Sequence, residues 1–250
     1  MQKNSTSWET AGKWYNKTVG DRGHYYHQHV VIPGVIRLLG IDPKSSVLDI
    51  GCGQGVLARA LPKDVFYTGI DLAKNLINFA QQQDKNNQHT YLVADATKRL
   101  SLPNKNFTHA AAILCLQNME FPQNAIQNAS EHLGKNGRFV LVLNHPAFRI
   151  PRQSGWGTGE NKLQYRYENV YLSSQKIPIT MHPGEMNSAV TWSFHHPISF
   201  YVEALSENGF VIEKMEEWVS DKESVGKAAK MENRSRSEFP LFLTIVARKI

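Results

Sequence analysis

The stretch Ser46-Val47-Leu48-Asp49-Ile50-Gly51-Cys52-Gly53-Gln54-Gly55 decides the fold of this chain. Its first half is an apolar strand that ends in Asp49-Ile50, and its second half carries a glycine at every second position. Glycines there let the backbone turn sharply and approach a ligand with no side chain in the way. The following residues are apolar at helical spacing, namely Val56, Leu57, Ala58, Ala60 and Leu61. We therefore predict a loop between a strand and a helix start, where free N–H groups favour a negatively charged or polar ligand.

The spacing of these glycines separates the ligands that use such loops. A dinucleotide fingerprint, G-x-G-x-x-G, needs its third glycine at position 56, and that residue is Val56. The chain also lacks the G-x-x-x-x-G-K-[ST] pattern of a phosphate-binding loop. The sequence therefore excludes both the nicotinamide or flavin dinucleotide fingerprint and a P-loop nucleotide site.

Acidic residues end three successive predicted strands. Asp49 ends the first strand, Asp71 ends the second over residues 65–72, and Asp95 ends the third over residues 89–96. In a doubly wound fold, an acid at the position of Asp71 accepts hydrogen bonds from the two ribose hydroxyls of a nucleotide. An Asp after a strand is also a common turn former or helix N-cap. The occurrence of all three in strand order favours the ligand-binding interpretation.

The rest of the pattern predicts a mostly parallel sheet covered on both faces. The predicted strands four to seven cover residues 110–116, 138–144, 210–218 and 239–249. Residues 133–137 predict a helix end and a turn, and residues 198–206 predict a helix before the last two strands. Alternation of strands with helices argues for parallel pairing, and continuous apolar runs argue that helices cover both faces of the sheet.

The run Val47 to Gly55, with an acid before the glycines, resembles the first motif of class I S-adenosylmethionine (SAM)-dependent methyltransferases. This resemblance implies an α/β, Rossmann-like, doubly wound sheet of seven strands in the order 3-2-1-4-5-7-6, with the last strand antiparallel. It implies SAM as the cofactor, with Asp71 at the ribose, Asp95 at the adenine amino group and the next backbone N–H near the ring. The cofactor-binding residues predicted in this way are Asp49, Gly51, Cys52, Gly53, Asp71, Leu72, Asp95, Ala96 and Cys115.

We expect residues 1–250 to form a single methyltransferase domain. Residues 1–43 form a helical leader, residues 44–144 the SAM-binding core, and residues 198–250 a helix followed by a strand hairpin. Residues 145–197 are an insertion after strand five, which is far longer than an ordinary connection. The insertion is rich in aromatic residues, so we predict an ordered antiparallel flap over the carboxyl edge of the sheet, where ligands bind in open α/β folds.

Polar residues after strands four and five, in the leader and in the flap are the candidates for acceptor binding and catalysis. His145 is the predicted catalytic base, because an imidazole can accept a proton near neutral pH; the alternative is a turn residue that hydrogen-bonds the backbone. Arg149 and Trp156 can clamp an anion and stack on a ring, or simply anchor a loop. The predicted substrate-binding residues are Tyr15, Tyr26, His29, Gln117, Asn144, Arg149 and Trp156.

The composition and charge of the chain limit the classes of ligand and partner that it is expected to bind. The net charge of +6 allows an anionic substrate or nucleic acid, but the basic residues are spread along the chain, and we expect residues 222–236 to form a solvated loop. Residues 116–120 lack the [Asn/Asp/Ser]-Pro-Pro-[Tyr/Phe] motif of nucleic-acid amino-methyltransferases. No ligand spacing for a metal is present, and no apolar run is long enough to span a bilayer. Two cysteines favour free thiols in the cytoplasm.

The sequence therefore predicts a cytoplasmic enzyme that transfers a methyl group from SAM to a small-molecule acceptor. Two alternatives remain open at this point. One is a methyltransferase that acts on RNA or protein, and the other is a SAM-binding module without catalysis. The intact glycines and acids, together with a large aromatic flap, favour an enzyme. The acceptor atom and the oligomeric state stay open.

Overall fold

A computed structural model describes residues 23–160, 163–180 and 190–250, and its strands largely follow the predicted ones. The strands are β1 Ser46–Ile50, β2 Phe66–Asp71, β3 His89–Val93, β4 Phe107–Ile113, β5 Leu133–Asn144, β6 Ser154–Thr158, β7 Gln164–Glu168, β8 Gln175–Thr180, β9 Val190–His195, β10 Phe210–Trp218 and β11 Phe242–Lys249. The helices are α1 Ile32–Leu39, α2 Lys74–Gln83, α3 Pro122–His132, α4 Ile198–Glu207 and α5 Ala229–Glu238. A π-helical turn, His27–Val31, runs directly into α1.

The central sheet has the predicted topology. Its order is β3-β2-β1-β4-β5-β11-β10, which is 3-2-1-4-5-7-6 when the two last strands are counted as six and seven. Strands β1 to β5 pair in parallel, and β11 pairs antiparallel with both β5 and β10. The carboxyl ends of five strands therefore meet at one edge, and the predicted fold class is confirmed.

Alternating side chains of the sheet build two cores, one on each face. Along β5, Leu141 and Leu143 belong to the cluster that includes residues of α3 and α4. Val140 and Val142 belong to the opposite cluster, which includes residues of α1 and α2. Because successive residues of a strand point to opposite faces, this arrangement is what a doubly wound sheet requires.

The predicted flap is present and consists of two antiparallel hairpins, β6–β7 and β8–β9. Strand β6 contains Gly155 and Gly157, and glycine weakens a strand pattern. A Cβ at Gly155 would lie 2.4 Å from the hydroxyl of Tyr167, so glycine is needed there for the ring to pack across the hairpin.

Three local predictions were wrong or incomplete. Residues 56–61 form turns with one 3₁₀ turn, Ala58–Ala60, because Pro62 follows at once and leaves no room for an α-helix. Residues 133–137 belong to β5, although its pairing with β4 skips from Leu133 to Arg138 and Asn136 has φ +62°, so the predicted turn survives as an irregularity. Part of the expected loop at 222–236 is helix α5.

In the described parts of the chain, every helix is too short or too polar to cross a lipid bilayer.

Candidate active site

A cavity of about 480 Å³ lies at the carboxyl ends of the parallel strands. We call it the edge cavity. Gly51 follows β1, Asp71 ends β2, Asp95 follows β3, Cys115 follows β4 and Asn144 ends β5, and all five residues line it. Its volume falls within the range of about 300–1,000 Å³ that is usual for small-molecule sites. The topology therefore gathers residues that are far apart in sequence into one site.

Two glycines of the first loop serve the cavity in different ways. Gly51 has φ +68°, and a Cβ there would lie 2.5 Å from the Cβ of Cys115. Gly53 has φ +55°, and a Cβ there would meet nothing within 4 Å. Both conformations favour glycine. Gly51 is thus required by packing against β4, whereas Gly53 leaves open space on the cavity side for a ligand to approach the backbone.

The Asp71 carboxylate is fixed by backbone donors on both sides of the cavity floor. Its Oδ2 accepts the N–H of Gly53 at 2.9 Å, and its Oδ1 accepts the N–H of Ala73 at 2.8 Å. A carboxylate offers about four lone-pair sites, so it can accept further hydrogen bonds. Asp95 is fixed in a similar way, because its Oδ1 accepts the N–H of Thr97 at 2.9 Å and the Thr97 hydroxyl at 2.7 Å.

Asp49 and Cys52, predicted to contact the cofactor, do not line the edge cavity. Asp49 is buried behind the glycine loop, and its Oδ2 accepts the hydroxyl of Tyr67 at 2.7 Å. Burial raises the pKa of Asp49 to about 7, the Tyr67 hydrogen bond opposes this rise, and the charge of Asp71 adds to it. The Cys52 thiol packs under β2, where a Cβ at Gly69 would come within 2.8 Å of its Sγ. Both residues support the loop from behind.

The turn after β4 presents amides to the cavity. Leu114 has φ +54°, which is costly for a residue with a side chain and is concentrated at functional sites. Its carbonyl accepts Nε2 of Gln117 at 2.9 Å and Nδ2 of Asn118 at 3.3 Å. The Oε1 of Gln117 is buried and has no hydrogen-bond partner within the described residues. A buried acceptor without a partner fits a site completed by a ligand that donates to it.

Cys115 lines the cavity with its thiol protonated. Its Sγ donates to the carbonyl of Ile50 at 3.0 Å. Burial, together with the charges of Asp49 and Asp71, raises the pKa of this thiol well above its ordinary value. Both Cys52 and Cys115 are free and buried, so neither is poised as a nucleophile.

The leader helix, residues 25–39 with His24 just before it, places His24, Tyr26 and His27 in the cavity wall, whereas His29 faces away. His29 stacks on the ring of Tyr25, four residues earlier, with centroids 4.3 Å apart, and it lies 3.5 Å from a carboxylate oxygen of Asp221. Positions three and four apart share a helix face, so the inner face carries His24 and His27 and the outer face carries Tyr25 and His29. The structure therefore does not bring His29, predicted to bind the substrate, to the edge cavity.

His145, the predicted catalytic base, is not among the residues that line the edge cavity. Its side chain is buried, and its Nε2 lies 2.7 Å from Oε1 of Glu217 on β10. Its carbonyl accepts the N–H of Phe148 and the N–H of Arg149. The imidazole therefore sits where it can hold the start of the flap, on the opposite side of the chain from its neighbour Asn144.

Trp156 lines a second cavity, of about 420 Å³, beside the edge cavity. We call it the flap cavity. Asn144 and Arg149 line both cavities, so the two spaces share a wall. The indole of Trp156 packs edge-on against Phe239, with ring centroids 5.3 Å apart, and lies under the guanidinium of Arg166 at 4.8 Å.

Most of the predicted site residues lie together. The predicted residues that line the edge cavity are Gly51, Gly53, Asp71, Leu72, Asp95, Ala96, Cys115, Tyr26, Gln117, Asn144 and Arg149. Tyr15 lies outside the described residues. Sequence reasoning missed His24, His27, Lys98 and Phe242, which also line it. Of these four residues, only His24 and His27 could have been found from the sequence, because their spacing continues the apolar stripe of the leader helix.

Comparison with known proteins supplies the family. Residues 48–141 match the family of methyltransferase domains, and the sheet order is that of class I members. The matched segment is a methyltransferase domain, and the fold around it is that of class I SAM-dependent methyltransferases. The predicted recognition and the predicted cofactor, SAM, are thereby confirmed.

Individual methyltransferases resemble the chain in part. A protein of Geobacillus sp. (strain WCH70), named as a methyltransferase, is 32% identical over 85 residues, which is 34% of each chain. A ubiquinone biosynthesis O-methyltransferase of Coxiella burnetii is 29% identical over 150 residues, 54% of this chain and 59% of that protein. The aligned segments thus span between a third and three fifths of these relatives. The crystal structure of a SAM-dependent methyltransferase from Mesorhizobium loti has the same fold, with a TM-score of 0.68 and 24% identity over 87% of this chain and 96% of that one.

The edge cavity fits SAM in its donor and acceptor groups. Carboxylates at Asp71 and Asp95 suit ribose hydroxyls and an adenine amino group, respectively. The open backbone at Gly53 suits a ligand that reaches close to the chain. The residues present are therefore compatible with the cofactor of the family.

Proposed function

We propose that this protein transfers the methyl group of SAM to a small-molecule acceptor. The observation that carries the proposal is the edge cavity, in which loop residues after β1 to β4 meet the end of β5 and the leader helix. Its cofactor side is formed by Gly51, Gly53, Asp71 and Asp95. Its other side is formed by Gln117, Asn144 and Arg149, as a two-substrate reaction requires.

Four groups would hold SAM. Asp71 would accept hydrogen bonds from the ribose, Asp95 and the adjacent backbone would face the adenine, and Gly53 would let the methionine part approach the loop. When bound, SAM supplies an electrophilic methyl group for displacement by a nucleophile. The remaining task of the protein is to orient that nucleophile and to keep water out, which supplies much of the rate in such a reaction.

His24 is better placed than His145 to take a proton from the acceptor. It lines the edge cavity, and its Nδ1 accepts the N–H of Tyr26 at 3.2 Å. Burial lowers the pKa of His24, and the charges of Lys222 and Arg149 lower it further, although its own backbone opposes this change. A neutral imidazole can act as a general base when the acceptor carries an acidic O–H or S–H. Because Nδ1 accepts the Tyr26 N–H, Nε2 carries the proton of the neutral ring, so Nδ1 would take the acceptor's proton after releasing Tyr26.

The small-molecule acceptor is supported by the size of the edge cavity and by the name of the Coxiella relative, an O-methyltransferase of ubiquinone biosynthesis. The absence of the amino-methyltransferase motif at residues 116–120 disfavours nucleic-acid bases. We also propose a cytoplasmic location, which two cysteines held as free thiols support.

The test is turnover of SAM to S-adenosylhomocysteine by the full-length chain with fractionated metabolite extracts, RNA and protein as acceptors. We expect turnover that depends on a metabolite. It should be lost in Asp71→Ala and should survive in Asp64→Ala, which changes an exposed acid. Turnover with RNA or protein alone would establish a macromolecular acceptor instead. Binding of S-adenosylhomocysteine without turnover on any of them would identify a binding module.

A further inference from the structure

The flap cavity has the walls of a ligand site, independent of the residues that face the cofactor. Its apolar lining includes Phe148, Ile150, Pro151, Trp156, Phe239 and Leu241. The rings of Phe148 and Phe239 meet edge-on, with centroids 5.7 Å apart, and Phe239 meets Trp156 in the same way. Aromatic residues from the flap and from the segment before β11 thus enclose one space of about 420 Å³, which suits an apolar ring or chain.

Two arginines give this apolar cavity a positive charge. Arg149 and Arg166 both line it, and no carboxylate does so among the residues that the structure describes. The ion pairs of arginine within those residues involve Arg37, Arg236 and Arg248. Burial lowers the pKa of Arg149, and the charge of Arg166 lowers it further. Two neighbouring cations are unfavourable in an apolar space, and a bound anion relieves that cost.

The two guanidinium groups are arranged differently. Arg166 is held in place, because its Nη2 donates to the carbonyl of Phe148 and to the hydroxyl of Ser154, and its plane covers the indole of Trp156. Glu168 lies close enough to raise the pKa of Arg166, against the effect of burial. Arg149 extends along the wall shared with the edge cavity. One arginine is thus fixed by the flap, and the other stands between the two spaces.

We propose that the flap cavity binds the methyl acceptor through an anionic group, a carboxylate or a phosphate, held by Arg149 and Arg166 and carried on an apolar ring or chain. This inference rests on the proposed function, since it places the cofactor in the edge cavity. The anion is then a handle and not the nucleophile, because it lies in the flap cavity while the transferred methyl group lies beyond Asn144. The acceptor class is an amphipathic acid whose methylated atom is at the end away from its charge.

The experiment measures binding of three probes that share one ring to the full-length protein saturated with S-adenosylhomocysteine. The probes are naphthalene-2-carboxylate, 2-naphthyl phosphate and the uncharged naphthalene-2-carboxamide. At least one anion is expected to bind roughly tenfold more tightly than the amide, because charge-assisted hydrogen bonds to arginine are the stronger kind. The anion that binds more tightly shows whether the site prefers a carboxylate or a phosphate.

Arg149→Gln is expected to abolish the preference, and Arg149→Lys to keep part of it. Arg149 is the main variant because its side chain makes no hydrogen bond within the described residues, so the variant is expected to fold. Arg234→Gln on α5 removes the same charge from an exposed position and leaves the preference intact. Equal binding of acid and amide, a preference that survives Arg149→Gln, or no binding of any probe at millimolar concentration would overturn the inference.

Failure of this inference is distinguishable from failure of the proposed function. The proposed function is judged by binding of S-adenosylhomocysteine and by turnover of SAM, neither of which uses the naphthyl probes. Normal cofactor binding with no charge preference removes only the anionic handle. A charge preference that depends on Arg149 in a protein unable to bind S-adenosylhomocysteine removes the proposed function and leaves an anion site.

Discussion

The backbone N–H of Gly53 donates to the carboxylate of Asp71 across 2.9 Å, which ties the loop after β1 to the end of β2. The same carboxylate accepts the N–H of Ala73, so it organises the floor of the edge cavity before any ligand arrives. A residue expected to bind ribose therefore also shapes the loop that lies beside it. Its replacement should affect the ligand through both effects.

Asp71→Ala is expected to weaken binding of S-adenosylhomocysteine by roughly 1–3 kcal/mol, because the ribose loses a charged acceptor and the Gly53 loop loses its anchor. Asp71→Asn keeps one acceptor oxygen and should weaken binding less. Isothermal titration calorimetry measures both, with Asp64→Ala as the control for loss of an exposed acid. An affinity unchanged by Asp71→Ala would remove the ribose assignment.

Alanine variants of three glycines with similar positive φ distinguish a loss of packing from a loss of ligand binding. Alanine at Gly51, Gly53 or Gly209 costs about 1 kcal/mol for its backbone conformation in each case. Gly51→Ala adds a clash with Cys115, so it should unfold at a markedly lower temperature than the other two variants. Gly53→Ala should be as stable as Gly209→Ala, where a Cβ also meets nothing within 4 Å.

Of these two variants of equal stability, Gly53→Ala should lose affinity for S-adenosylhomocysteine, since its methyl group enters the space where the ligand binds. Gly209→Ala should keep its affinity. Thermal unfolding and calorimetry on the same samples provide the two readouts. Equal affinity in Gly53→Ala and Gly209→Ala would mean that the ligand does not approach this backbone.

The sheet was predictable because each central strand is a short apolar run that ends at an acid or a turn. Asp71 and Asp95 could be placed at one edge from strand order alone, since carboxyl ends of parallel strands share an edge. Strand β6 could not be predicted, because Gly155 and Gly157 are required only by their packing against the tyrosines of β7. That pairing depends on tertiary contacts that local sequence does not encode.

The positions of His29 and His145 outside the lining of the edge cavity have equally local causes. His27, and not His29, shares the inner face of the leader helix with the buried residues Val31 and Val35. His145 follows Asn144 directly, and neighbours at the end of a strand point to opposite sides. Its partner Glu217 is brought close by β11, on which Leu243 pairs with Leu143 on one side and Glu217 on the other. That register is not visible in the sequence.

Asp49 is expected to make the protein less stable as the pH rises towards neutral. Burial raises its pKa to about 7 from an ordinary value of 3.8, so between these values the folded state holds a proton that the unfolded state has released. Stability therefore falls as the pH rises through this window. Asp49→Asn removes this titration. The unfolding free energy of the wild type, relative to that of the variant, should therefore decrease from pH 5 to pH 8.

Denaturant unfolding at the two pH values measures this difference, and Asp64→Asn serves as the exposed control. The absolute stability of Asp49→Asn is not the readout, because the new amide also changes the hydrogen bond with Tyr67. Parallel profiles of wild type and Asp49→Asn would show that Asp49 does not titrate between pH 5 and pH 8.

The pair between His145 and Glu217 tests whether this imidazole supports the flap or takes part in the reaction. Burial lowers the pKa of His145 below 6.5, and its hydrogen bond with Glu217 opposes that change. Protonation is thus less favourable in the folded state, and the protein should lose stability as the pH falls below 6.5. Glu217→Gln removes the opposing charge, so this acid-induced loss should become steeper. The added loss should be at most about 1 kcal/mol, because Glu217 is more than half exposed and its charge is screened.

The measurement compares melting temperatures of wild type and Glu217→Gln at pH 7.5 and pH 5.5, with Glu223→Gln as an exposed control. The gap should widen at the lower pH and shrink at high salt. If His145 only supports the flap, the pH profile of kcat should be the same in Glu217→Gln as in the wild type, whereas His24→Gln should abolish the acidic limb of that profile. A shift of the limb in Glu217→Gln, with His24→Gln unchanged, would return the role of base to His145. It would also require the flap to move, since the imidazole would have to leave Glu217 to reach the acceptor.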